Sequence, residues 1–141
     1  MEKNKCNNIQ GGGFCGAVRY ETIAKPRYSI NCHCRDCQKI TGSAYAPLLS
    51  FFQSEVIIKG KVQYFDSNGK SGKRVRRGFC PKCGSRLFSL PEMLAGIISI
   101  HVGTLDEPNL FEPKAELFIS QANHWDVLNP NILHFEELAK K

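Results

Sequence analysis

Two cysteine arrays carry the chemistry that can be read from the chain. Cys32-His33-Cys34-Arg35-Asp36-Cys37 is a C-x-C-x-x-C array, and Cys80-Pro81-Lys82-Cys83-Gly84 is a C-P-x-C-G knuckle. A C-x-x-C turn brings two sulfurs to one side of a tight bend, and Gly84 suits the backbone such a turn requires. Tetrahedral thiolate sets take zinc or iron, and zinc sits about 2.3 Å from each sulfur. Seven cysteines in 141 residues is an odd number. The first ten residues hold no apolar core of the kind a signal peptide carries, so metal ligation is expected over a disulfide framework.

Spacing alone admits two wirings. In one, Cys34, Cys37, Cys80 and Cys83 close a single structural zinc ribbon and leave Cys15 and Cys32 spare. In the other, Cys32, Cys34 and Cys37 hold one ion with its fourth position open, as catalytic zinc requires, while Cys80 and Cys83 pair with Cys15 at a second site. The closed ribbon is the simpler arrangement on these grounds. The count of bound ions, one or two, separates them.

The elements that must position these sulfurs read as strands. Short runs rich in Val, Ile, Tyr and Phe recur at Ala17–Thr22, Arg27–Asn31, Ser43–Phe51, Glu55–Lys59, Val62–Asp66, Arg74–Phe79, Arg86–Leu90, Gly96–Val102 and Glu116–Ile119, separated by Gly, Pro, Asn and Ser. Asp36–Thr41 has room for one or two helical turns, stopped by Gly42. The pattern predicts a polar tail over 1–10 ended by a turn at Gly11-Gly12-Gly13. A mostly β domain then runs over 11–128, followed by an extension over 129–141 that forms either a short helix or a frayed end.

Composition fits one globular domain, with 42% hydrophobic and 23% charged residues and a formal charge of +6. No apolar run approaches the roughly 20 residues of a membrane span, so a soluble cytoplasmic protein without membrane partners is expected. The basic run from Lys70 to Arg77 reads as a solvated hairpin. Nucleic acid is not expected as a partner, because exposed aromatics do not accompany the charges.

The ordered strings Gly12-Gly13-Phe14-Cys15-Gly16-Ala17-Val18-Arg19-Tyr20, Cys32-His33-Cys34-Arg35-Asp36-Cys37-Gln38-Lys39-Ile40-Thr41-Gly42-Ser43, Phe79-Cys80-Pro81-Lys82-Cys83-Gly84-Ser85, Gly103-Thr104-Leu105-Asp106 and His124-Trp125 resemble the glutathione-dependent formaldehyde-activating enzyme family, which shares its domain with the centromere protein V group. The resemblance implies an Mss4-like β-sandwich stapled by zinc–thiolate sites, and it implies the split wiring. Cys32, Cys34 and Cys37 would hold the catalytic zinc. Cys80 and Cys83 would join an N-terminal C-x-C at a structural zinc. Here the chain departs from the family: Gly13 stands where the first cysteine of that pair belongs, so Cys15, Cys80 and Cys83 are one thiolate short.

The implied activity is that of a carbon–sulfur lyase, forming or cleaving an S-hydroxymethyl adduct of glutathione, a small thiol, with a small aldehyde. A non-catalytic zinc-stabilised binding module on the same fold is the alternative. His33 and Arg35 alternate with the ligands. They are either substrate-binding groups and donors to the sulfurs, or residues facing solvent. Asp36 is expected to cap the turn after the array, Trp125 to pack across the sheet edge, His101 and His124 to stay outside the ligand sets, and Cys6 to be a free thiol.

Overall fold

The computed structural model describes residues 8–69 and 72–139. Its strands are β1 (Ile9–Gly12), β2 (Arg19–Thr22), β3 (Tyr28–Cys32), β4 (Ala46–Phe52), β5 (Ile57–Lys59), β6 (Gln63–Asn68), β7 (Arg74–Phe79), β8 (Arg86–Pro91), β9 (Ile97–His101), β10 (Ala115–Leu117) and β11 (Leu133–His134). One α-helix among the described residues, α1 (Arg35–Thr41), follows β3. The mostly β architecture of many short strands is therefore the observed one.

The strands form two sheets. A three-stranded sheet has the order β1-β2-β5, and an eight-stranded sheet the order β11-β10-β3-β4-β9-β8-β7-β6. They bury one core between them. Ile9, Val18 and Tyr20 from the small sheet's side meet Leu49, Phe51, Phe88, Ile98 and Ile100 from the large one. Side chains alternate along a strand, so β4 serves two clusters. Leu49 and Phe51 enter this core, while Ala46 and Leu48 turn the other way and pack with Cys32, Cys34 and Cys37. Both faces of β4 and β9 are therefore covered. That is why these strands read as apolar runs rather than as alternation.

Three expectations need correction. The tail extends less far than residue 10, because Ile9 and Gln10 pair with β2 and Ile9 is buried. Gly11 lies in that strand rather than in a turn. A Cβ there would collide with the Tyr20 hydroxyl, which bonds Thr104 at 2.7 Å, so the glycine permits a close approach. Toward the C-terminus no helix forms among the described residues. β11 runs parallel to β10, and the backbone beyond it bonds along 116–119, with Phe135 N–H to Glu116 O at 2.9 Å and Phe118 N–H to Glu137 O at 2.9 Å. A helix this short has little stability of its own, and strand pairing wins.

Of the basic run, Arg74, Arg76 and Arg77 lie on β7, which pairs antiparallel with β6. Arg76 forks onto Asp66 at 2.8 and 3.0 Å, and Arg77 is buried with its guanidinium on the Ser67 hydroxyl at 2.6 Å. Lys70, Ser71 and Cys6 lie outside the described residues.

Candidate metal centres

Cys32 ends β3, flanked by β4 through Ala46 and by β10 through Leu117. The chain then turns directly into α1. Cys34 is the N-cap of that helix, and its sulfur accepts the Cys37 N–H at 3.3 Å. A thiolate in this role fills the place usually taken by Ser, Thr, Asp or Asn. Asp36 sits inside the first turn and does not cap it. Gly42 closes the helix in the left-handed region at φ 70°, donating to Gln38 O at 2.8 Å. One strand end and one helix start thus bring Cys32, Cys34 and Cys37 together, with all three sulfurs within 4.8 Å of one another. No fourth Cys, His, Asp or Glu among the described residues joins them.

Three thiols this close cannot ionise independently. Hydrogen bonds from Cys32 and Cys37 hold Cys34 down to about 3, while Cys34 pushes Cys32 up to about 12 and both neighbours push Cys37 up. A cation is what lets like charges at such spacing ionise together, so the donor set fits a metal.

His33, between two of these cysteines, does not face solvent. It is fully buried, with Nδ1 2.7 Å from Asp126 Oδ2 and Nε2 2.5 Å from Glu116 Oε1. Alternation along the chain turns it inward while its neighbours turn to the cluster, and Tyr45 lies over its ring at 4.9 Å. Glu116 also accepts the Asn129 N–H at 3.0 Å. Sequence reasoning missed both carboxylates. Glu116 did leave a signal, because a charged residue between Ala115 and Leu117 in a buried strand needs a partner. Asp126 left none.

Arg35 is exposed. Its backbone N–H donates to Gln121 Oε1 at 2.6 Å and its guanidinium to Gln38 Oε1 at 2.5 Å. With Lys39, Ser43, Asn123 and Trp125 it borders a groove of about 720 Å³ that flanks α1 and is not lined by the cysteines. Trp125 is 62% exposed, so it edges this groove instead of packing across the sheet. His124 is exposed and lies outside both sulfur groups. His101 is buried in β9, where burial and then the Arg77 and Arg86 charges hold it down to about 4.

The second group joins two turns distant in sequence. Gly13–Gly16 is closed by a Gly16 N–H to Gly13 O bond of 3.0 Å, and the knuckle by Gly84 N–H to Cys80 O at 2.8 Å with Gly84 at φ 81°. Cys15, Cys80 and Cys83 place their sulfurs within 4.8 Å of one another. Cys15 and Cys80 are 3.7 Å apart at sulfur. Bonds of about 2.3 Å at tetrahedral angles require a sulfur separation of about 3.8 Å, so this pair fits zinc and not a disulfide. Cys80 is buried, while Cys15 and Cys83 are exposed. The Ser85 hydroxyl lies 3.2 Å from Cys83 Sγ and accepts the Phe14 N–H at 2.8 Å. Hydrogen bonds from Ser85 hold Cys83 down to about 6. The ribbon of Cys34, Cys37, Cys80 and Cys83, simplest on spacing, is not what forms: the six described sulfurs divide three and three.

A family model described as "Glutathione-dependent formaldehyde-activating enzyme" matches residues 8–121. A Halomonas elongata protein named "Putative glutathione-dependent formaldehyde-activating enzyme" is 29% identical over 86 residues, covering 57% of this chain and 54% of its own length. The chain thus spans about half the length of that curated relative. A crystal structure of a Rhodobacter sphaeroides protein superposes with a TM-score of 0.56 at 16% identity, covering 89% of this chain and 98% of the other. That likeness concerns the fold. Among the described residues no helix is long and apolar enough to cross a membrane.

Proposed function

The chain belongs to the glutathione-dependent formaldehyde-activating enzyme family, and from that premise we propose that it is a zinc-dependent carbon–sulfur lyase, forming or cleaving S-hydroxymethylglutathione at Cys32, Cys34 and Cys37. The observation that carries the reading is a three-sulfur group that no fourth Cys, His, Asp or Glu among the described residues completes. A zinc ion held there supplies Lewis acidity and a position for one outside donor.

The chain's own residues supply the rest. The Cys37 N–H on Cys34 Sγ and the start of α1 stabilise negative charge at the sulfurs. Glu116 and Asp126 lock His33, and with it the backbone between two ligands, so the sulfurs converge without rearrangement. Arg35 and Lys39 line the flank of α1 and offer cations to the two carboxylates of glutathione.

In the forward reaction the thiol sulfur bonds to the carbonyl carbon. The C=O π pair moves to oxygen, which takes up the proton the thiol gave up. Cleavage reverses each step. Exchange spectroscopy on zinc-loaded protein with glutathione and formaldehyde tests the proposal. Faster exchange between free formaldehyde and the adduct than in protein-free buffer supports it, and an unchanged exchange rate removes it for this substrate.

A further inference from the structure

The second sulfur group has a corner that no side chain among the described residues fills. A Cβ built on Gly13 would lie 3.5 Å from Cys80 Cβ and 3.4 Å from Ser85 Cβ, in ordinary contact with the knuckle and with nothing closer. A side chain there would reach the sulfurs, and glycine provides none. The neighbouring groups do not fill the place. Ser85 Oγ is engaged with the Phe14 N–H and with Cys83 Sγ. No fourth Cys, His, Asp or Glu among the described residues joins Cys15, Cys80 and Cys83. Cys15 and Cys83 are exposed, and Phe14 beside them is 92% exposed, so the corner is open to solvent.

We propose that the Cys15–Cys80–Cys83 group is a second open metal site, whose fourth ligand is a small thiol taken from solution rather than a residue of the chain. The thiol enters as thiolate and its proton passes to solvent. An apolar surface at Phe14 and a hydroxyl at Ser85 border the entry. This inference does not depend on the chemistry assigned to Cys32, Cys34 and Cys37.

The test uses the full chain loaded with cobalt(II), titrated with glutathione and read by sulfur-to-cobalt charge-transfer absorption. Comparison is with Gly13→Cys, which the Cβ contacts permit. Wild type is expected to take up about one more equivalent of glutathione than Gly13→Cys, because the added cysteine closes the corner. The difference between the two proteins reports on this site. The uptake left in Gly13→Cys reports on the other, so the two readings fail separately. Equal uptake by both proteins overturns the inference, and Cys6→Ser identifies one cause: recovery of the extra equivalent in that variant means Cys6 occupies the corner. Circular dichroism checks whether Gly13→Cys is folded. Should that variant misfold, the same titration of Cys80→Ser decides, since losing the site must also remove the extra equivalent.

Discussion

Two groups of three sulfurs share one donor chemistry and differ in what stands behind them. Cys32, Cys34 and Cys37 sit where a central strand passes into a helix, and His33 anchors that passage to Glu116 and Asp126 in the interior. Cys15, Cys80 and Cys83 sit where two surface turns meet, and their polar support comes from the Ser85 hydroxyl and from backbone groups of the same turns. Ligand identity alone therefore does not set the behaviour of a thiolate site. The first group is held by packing and a buried hydrogen-bonded network. The second is held by turn geometry and depends more on whatever ion it binds.

The largest expected effect on that contrast comes from His33→Ala. It leaves Glu116 and Asp126 buried without their common partner, which costs about 3–5 kcal/mol. Thermal unfolding should show a large fall in Tm, and metal should be lost from the Cys32 group while the Cys15 group keeps its own once the protein is folded at low temperature. A Tm close to wild type would mean that the network does not support the first site.

Metal removal gives the next effect. A competing chelator should strip the protein in two phases, the exposed Cys15 group first and the Cys32 group at a rate lower by on the order of tenfold or more. Cys83→Ser should delete the fast phase only. A single phase for both ions would erase the distinction.

Ser85→Ala is expected to be the mildest change. It removes the hydroxyl beside Cys83 and the acceptor for the exposed Phe14 N–H, at about 1 kcal/mol. Metal affinity of the second group should drop by roughly tenfold, measurable by competition with a chromophoric chelator. No change in affinity would show that the serine only closes the turn.

Much of the strand pattern was legible because Val, Ile, Tyr and Phe cluster between Gly, Pro and Asn. What escaped was set by contacts between distant parts. β1 hides behind glycines that read as a turn, and only the approach of the Tyr20 hydroxyl explains why Gly11 belongs in a strand. β11 has no sequence signature of its own and forms because β10 offers an edge. At the site, C-x-C-x-x-C marks three convergent sulfurs locally. The choice of Cys15 over Cys34 and Cys37 as partner of the knuckle is a tertiary fact, and spacing alone favours the wrong ribbon. The inward turn of His33 follows from strand alternation, but its second carboxylate comes from a loop with no pattern to mark it.

The distinct roles of the two sulfur groups are the central claim, and one paired measurement addresses it. Formaldehyde–glutathione exchange rates are compared in zinc-loaded Cys34→Ser and Cys83→Ser, with folding and metal content recorded for each. Exchange should fall to the protein-free rate in Cys34→Ser and stay within about twofold of wild type in Cys83→Ser. Wild-type exchange in Cys34→Ser, or its loss in Cys83→Ser with the Cys32 group still loaded, would contradict the assignment.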